Sequence, residues 1–277
     1  MTTTHGVSVR LYDTANPALG RHQVLDARSL KWLYCGSPAQ ARPVHWQPRV
    51  AVLDQQNLFQ QGISVSRLMG DVVDVDALGS CTANAATAAL SAQLTPEQCA
   101  TAGLDLDDPV QAETWAIQLY AEATRQDEWL ARQWPADDCG SSGLGVARAA
   151  RARGLVDSYV HARTANGLVD LLQHGPVLLG LPWYNAWFDV PSNGNVADCR
   201  DWKRSGVAGG HEVCATGIER VTYDRLGRLD LGRTVLRVRN SWGAAWGLDG
   251  DFMLPLDIYA ELRREIDAIQ LRPAAAA

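Results

Sequence analysis

The chain has 277 residues, 47% of them hydrophobic and 20% charged, with a formal net charge of −6. That length buries one sizeable core or two lobes sharing an interface; the scattered acidic balance, with no basic run to neutralise phosphates, excludes nucleic acid as an expected partner. No stretch reaches the roughly 18 to 20 apolar residues that span a bilayer. No membrane partner is therefore expected, and Met1-Thr2-Thr3-Thr4-His5-Gly6, with no basic segment ahead of an apolar one, predicts no signal peptide and a cytoplasmic protein.

Residues 1–50 carry Pro17, Pro38, Pro43 and Pro48, short apolar runs, and Trp32 and Trp46. They read as an irregular or β-rich extension, a strap packed on the main domain of residues 51–273; residues 274–277 are an alanine tail. Ser80 is placed to cap a helix from Cys81 to about Leu94, where Pro96 limits continuation. Its alanines suit a helix pressed tightly into the interior. Residues Gln111 to Gln126 place Trp115, Leu119 and Ala123 on one face, a second amphipathic helix. Gly143 to Ala152, capped by Ser141 or Ser142, is a third, and Leu168 to Gln173 a short fourth. After His174-Gly175 the texture changes, and residues 176–181, 213–218 and 234–238 read as strands. Asp224-Arg225-Leu226-Gly227-Arg228 gives a hairpin turn between the last two. The fold class is α+β, a helical half followed by an antiparallel β half.

The six cysteines are Cys35, Cys81, Cys99, Cys139, Cys199 and Cys214. A chain of this length is not disulfide-dense, so free thiols are expected. No pair has the spacing of a structural zinc site, and no metal or cofactor is expected. Most of these thiols read as inert hydrophobes, and His5, His22, His45, His161 and His174 as surface or satisfied core residues. Cys81 differs. It stands in Gly79-Ser80-Cys81-Thr82 at the start of a helix, where unpaired N–H groups and the helix dipole favour a thiolate. His211 follows in Gly209-Gly210-His211-Glu212, and Asn240 in Asn240-Ser241-Trp242-Gly243. A thiol, an imidazole and a carboxamide are the parts of a nucleophilic acyl-transfer site.

Together these motifs resemble those of the papain-like cysteine peptidases, in particular bacterial and phage members with Gly-Ser-Cys-Thr at the nucleophile. The resemblance runs from about Val52 to about Arg272. It implies a two-lobed fold, a helical lobe and a barrel-like antiparallel lobe, with the active-site cleft between them. It further implies a Cys81–His211 ion pair at rest, Asn240 orienting the imidazole, and Trp242 shielding the His–Asn hydrogen bond. The Gly140-Ser141-Ser142-Gly143 segment would pair with a substrate backbone, Gly210 would leave the adjacent wall open, and Trp183 would line a subsite or pack in the core. Glu212 should point away from the imidazole, in a structural or surface role, with recognition of a basic substrate group as the other reading.

One part departs from the family pattern. A glutamine six residues before the nucleophile would supply an oxyanion donor, and this chain has Val75 there, between Asp74 and Asp76. Residues 49–58 instead look like the usual lead-in, followed by an insertion at about 59–77, which makes Gln55 the displaced donor. Gln56, Gln60 and Gln61 are nearby substitutes, and a missing donor is the alternative. The resemblance implies a peptidase acting on peptide or protein through a Cys81 thioester, as a dedicated processing enzyme if the insertion is a lid. The same thioester could transfer its acyl group to an amine; a silent peptide-binding protein of the same fold is the other class. The family's inhibitory pro-segments raise the further question of whether residues 1–50 inhibit or merely brace.

Overall fold

β-Branched residues open the chain with a small sheet. In the computed structural model, which describes residues 2–4, 7–34, 36, 40–70 and 72–274, β1 (Thr2–Thr4), β2 (Val7–Arg10) and β3 (Arg21–Asp26) pair antiparallel in that order. The expectations for His5, Cys35 and residues 275–277 fall outside the described residues. Further on, β4 (Val44–His45) crosses to the main sheet.

The insertion forms a closed loop. Leu58 N–H donates to the Asp76 carbonyl at 2.8 Å, and the short helix α1 (Val65–Met69) is capped by Ser64, itself held by Asp74. Ile63 and Val65 are buried, and Leu68, Val72 and Val75 pack against the same helical core. The loop is thus part of the helical lobe's packing, and its described hydrogen bonds do not reach Cys81.

Helix α2 (Cys81–Gln93) is buried at every position from Cys81 to Ser91. A helix hidden all round needs small side chains, and its alanines allow close approach to its neighbours. Ser80 does not cap it: its hydroxyl faces the Leu78 carbonyl at 3.5 Å. Pro96 does not merely end this helix but opens another, α3 (Pro96–Thr101), with Thr95 and Gln98 forming a capping box. The helix α4 (Pro109–Gln126) begins two residues before the expected start at Gln111, because Asp108 caps it and Pro109 is tolerated in its first turn. After the two-residue strand β5 (Ser141–Ser142), Ser142 caps α5 (Gly143–Ala152) by accepting from Gly145 N–H.

The second lobe is built on an antiparallel sheet. Strand β6 (Val156–Ala162) and helix α6 (Ala165–Leu172) lead into β7 (Val177–Tyr184), the long β8 (Val207–Arg220), β9 (Val235–Arg239) and β10 (Asp251–Pro255). Helix α7 (Leu256–Leu262) and strand β11 (Asp267–Pro273) complete it, in the spatial order β10-β9-β8-β7-β11-β6, with β4 on β8. This sheet has two ends and does not close, so the barrel expected for this lobe is an open, curved sheet among the described residues. Each lobe has its own apolar core, one around α2, α4 and α5, the other around β7, β8 and the tryptophans. No helix among the described residues is long and apolar enough to cross a membrane.

Candidate active site

The three motif residues converge where the two lobes meet. Cys81 is the first residue of α2. His211 and Glu212 lie on β8, and the Glu212 backbone N–H donates to Cys81 Sγ at 3.4 Å. Asn240 follows β9, which lies beside β8. Its Oδ1 lies 2.7 Å from His211 Nε2 and also accepts from Ser241 N–H at 2.8 Å. An oxygen that already accepts one N–H must accept the other, so in a neutral ring Nε2 carries the proton. That leaves Nδ1 a lone pair; Nδ1 is buried and has no hydrogen-bond partner.

The indole of Trp242 stacks on the imidazole, with centroids 4.8 Å apart and an interplanar angle of 26°. Trp183 touches the same ring edge-on at 4.9 Å. It is wholly buried among Trp187, Trp242 and Phe252. The subsite reading of Trp183 is therefore corrected: it packs beside His211 because alternate residues of β7 and β8 share a face, and Leu181 pairs with His211.

Gln55 is brought to the same place across the insertion. Its backbone joins both motifs, the N–H donating to the Ser241 carbonyl and the carbonyl accepting from Leu78 N–H. Its Oε1 accepts from Ser241 Oγ at 2.7 Å, which turns Nε2 toward Leu78 O at 2.8 Å and Pro17 O at 3.2 Å. Val75 sits in the insertion, packed against the helical core. A buried carboxylate fixes this arrangement from behind: Glu113 of α4 accepts from Asn84 Nδ2 at 2.6 Å and from Asp54 N–H at 2.8 Å. One side chain thus ties α2 to the residue before Gln55. Burial raises the Glu113 carboxyl to about 7 against those two donors.

The cleft is filled by the chain's own residues 17–22. Ala18 O accepts from Trp242 Nε1 at 3.1 Å, and Gly20 O accepts from Ser141 N–H at 2.7 Å. The Gly20 backbone also hydrogen-bonds Cys81. From there β3 runs parallel to β5, Arg21 opposite Ser141 and His22 opposite Ser142. The fit is close: a Cβ on Gly20 would lie 1.9 Å from Gly79 O, and one on Gly210 would lie 2.1 Å from Arg21 O. Gly140, at φ 70°, likewise has no room for a side chain beneath Gly20 O. Gly140, Ser141 and Gly210, the segments expected to face substrate, face this strap. Ser142 instead spends its hydroxyl on Asp127 and on the α5 cap.

Burial under the strap sets the electrostatics. Cys81 and His211 have no solvent exposure. Loss of water pushes the thiol up to about 12, with the Glu212 carboxylate adding to the rise and hydrogen bonds from Glu212 and Gly20 opposing it. The same cause lowers His211 to about 4, with the Asn240 bond opposing. A dry site thus penalises both charges of the expected ion pair, the thiolate and the imidazolium. Glu212 is fully buried, so of the structural or surface role expected for it the surface one falls. Among the described residues no cluster of side chains could hold a metal ion.

Sequence reasoning passed over Gly20, Arg21, Glu113 and Asp267, which shape this site. Nothing in the local text around any of them marks a partner 30 to 250 residues away; only the proximity of Glu212 to His211 hinted at a charged wall.

No protein-family model matches the chain, and no curated protein is similar to it in sequence. Among solved structures it is similar to xylellain, a cysteine protease from Xylella fastidiosa, with a TM-score of 0.50 and 19% identity over 92% of this chain and 96% of that one. Weaker likenesses are to the bromelain protease of Ananas comosus in complex with the E64 inhibitor, at TM-score 0.42 and 15% identity over 84% and 100% of the two chains. Digestive procathepsin L 3 of Tenebrio molitor larval midgut has TM-score 0.42 and 17% identity over 93% and 77%. The fold is the papain-like two-lobed fold.

Proposed function

We propose that the protein is a cysteine peptidase held latent by its own residues 17–22. The observation that carries this reading is the His211 ring, bonded through Nε2 to Asn240 and left with a free Nδ1, on the strand whose next residue, Glu212, donates its N–H to the Cys81 thiol at a helix N-terminus. In the uncovered site, water relieves the desolvation of both groups, and Cys81 passes its proton to Nδ1. The thiolate attacks a peptide carbonyl carbon, and Gln55 Nε2 and the Cys81 N–H donate to the oxyanion. As the C–N bond breaks, His211 returns the proton to the leaving amine. Water then attacks the thioester, His211 taking its proton, and the acid is released with the thiol restored.

The strap supports latency because it uses the same donors. Pro17 O occupies Gln55 Nε2, Ser141 N–H is spent on Gly20 O, and Cys81 is under Gly20. Closure of the cleft by its own chain also favours a second reading, a permanently covered binding protein. The test is covalent labelling of Cys81 with an epoxysuccinyl reagent. Gly20→Val puts a side chain against the Gly79 backbone and should drive the strap out, so this variant is labelled at Cys81 while the parent is not. Equal inertness of parent and variant, or labelling no faster than an ordinary free thiol, supports the covered binding protein instead.

A further inference from the structure

The strap ends in a buried cation. Arg21, with no exposed surface, reaches under the cleft to Glu212 and Asp267, pairing with Asp267 through one Nη and lying 3.9 Å from Glu212 Oε2 through Nε. Its Nη2 donates a hydrogen bond to the Glu265 carbonyl at 3.0 Å, and the Tyr12 ring of the same N-terminal segment lies 5.4 Å from the guanidinium.

Sheet register builds the pocket. Gly180 on β7 pairs with Glu212 of β8 on one side and Asp267 of β11 on the other. Residues directly opposite on neighbouring strands present side chains to the same face. The two carboxylates therefore flank a position that has no side chain. A Cβ on Gly180 would lie 2.4 Å from Arg21 Nε, 2.7 Å from Glu212 and 2.8 Å from Asp267. Gly143 opens the opposite wall, where a Cβ would lie 2.7 Å from Glu212 Oε1. Neither Glu212 oxygen has a hydrogen-bond donor, although both are buried. A buried carboxylate without donors is costly unless a cation sits beside it. Among the described residues the cation paired there, Arg21, belongs to the segment that must leave for the cleft to open. The pocket also adjoins the nucleophile, since the Glu212 N–H bonds Cys81 Sγ.

We infer, resting on the peptidase reading above, that the Glu212–Asp267 pocket selects an arginine or lysine side chain of the polypeptide substrate, and that Arg21 is its internal occupant. Arginine should be preferred, because a planar guanidinium reaches both carboxylates at once. Strap and substrate then compete for one pocket as well as for one backbone track.

The test uses the full chain carrying Gly20→Val and Arg21→Ala, which empties the pocket, and a matched pair of blocked tripeptides that differ only in arginine or citrulline. Iodoacetamide alkylation of Cys81 is followed by mass while each peptide competes. The arginine peptide should protect Cys81 at a concentration at least tenfold lower than its neutral isostere. That difference should vanish when Glu212→Gln and Asp267→Asn are added, and in Gly180→Ala, which fills the pocket and keeps its charges. Equal protection by the two peptides, a difference that survives both changes, or a Cys81 that stays shielded without Arg21 would each overturn the inference. Cleavage of a peptide library is scored in parallel. Arginine-selective protection with no cleavage by any variant leaves the pocket standing and removes the peptidase reading; cleavage without basic preference does the reverse.

Discussion

At the scale of single residues, the site depends on hydrogen-bond direction more than on proximity. Ser241 donates through its backbone to Asn240 Oδ1 and through its hydroxyl to Gln55 Oε1, so one residue orients both the amide that holds the imidazole and the amide proposed as oxyanion donor. Gln55→Ala in the strap-displaced chain should lower turnover on peptide substrates about a hundredfold or more, with Cys81 alkylation by iodoacetamide retained; turnover within a few-fold of the parent would remove Gln55 from its role. Glu113 makes a prediction about pH. Its folded value, about 7, is raised above the ordinary glutamate value of 4.5. The folded state therefore holds its proton more tightly than the unfolded state. Its contribution to stability is full below about pH 4.5 and is lost as pH rises through about 7. The melting temperature of Glu113→Gln relative to the parent should climb between pH 5 and pH 8. A difference that stays flat across that range would show that Glu113 does not titrate there. Trp183→Ala, which empties the space beside His211, should cost about 3 to 5 kcal/mol in denaturant unfolding.

Elements differ in how far the sequence announces them. Helix α2 was legible from its alanines and its position after Gly79-Ser80, and α5 from its serine caps, because those signals are local. The convergence of the Cys81, His211 and Asn240 segments was legible for the same reason: each carries its own neighbours. Helix α1 and the seating of the strap in the cleft were not, since neither has a repeating pattern and both are ordered by partners outside their own segments, Asp74 for α1 and Gly79, Ser141 and Trp242 for the strap. The strand pairing that sets Asp267 beside Glu212 through Gly180 belongs to sheet register, which no single segment encodes. The insertion illustrates the difference between position in sequence and position in space. Its tie to the nucleophile's lead-in suggested a lid, yet Ile63 and Val65 are buried in the helical core. Deleting residues 60–76 should therefore destabilise the protein by about 3 kcal/mol or more and leave the shielding of Cys81 unchanged; a stable deletion with an exposed Cys81 would restore the lid.

For the molecule as a whole, two cores meet along a seam and residues 17–22 lie across it. The strap hydrogen-bonds to Trp242 of the β lobe and Ser141 of the helical lobe, and its Arg21 pairs with Asp267. Covering the seam completes the burial of the acidic pocket and penalises the charged forms of the thiol and the imidazole, so under the proposed function one segment both stabilises the closed protein and silences its chemistry. Opening must then restore water to Cys81 and His211 and release Arg21 together. The central claim is a latent cysteine peptidase whose block is its own N-terminal segment. It is tested most directly by mass-spectrometric profiling of peptide-library products with three full-length proteins: the parent, Gly20→Val, and Gly20→Val with Cys81→Ala. The account predicts no cleavage by the parent, cleavage by Gly20→Val, and none once Cys81 is removed. Cleavage by the parent equal to that of Gly20→Val, or cleavage that persists without Cys81, would contradict it.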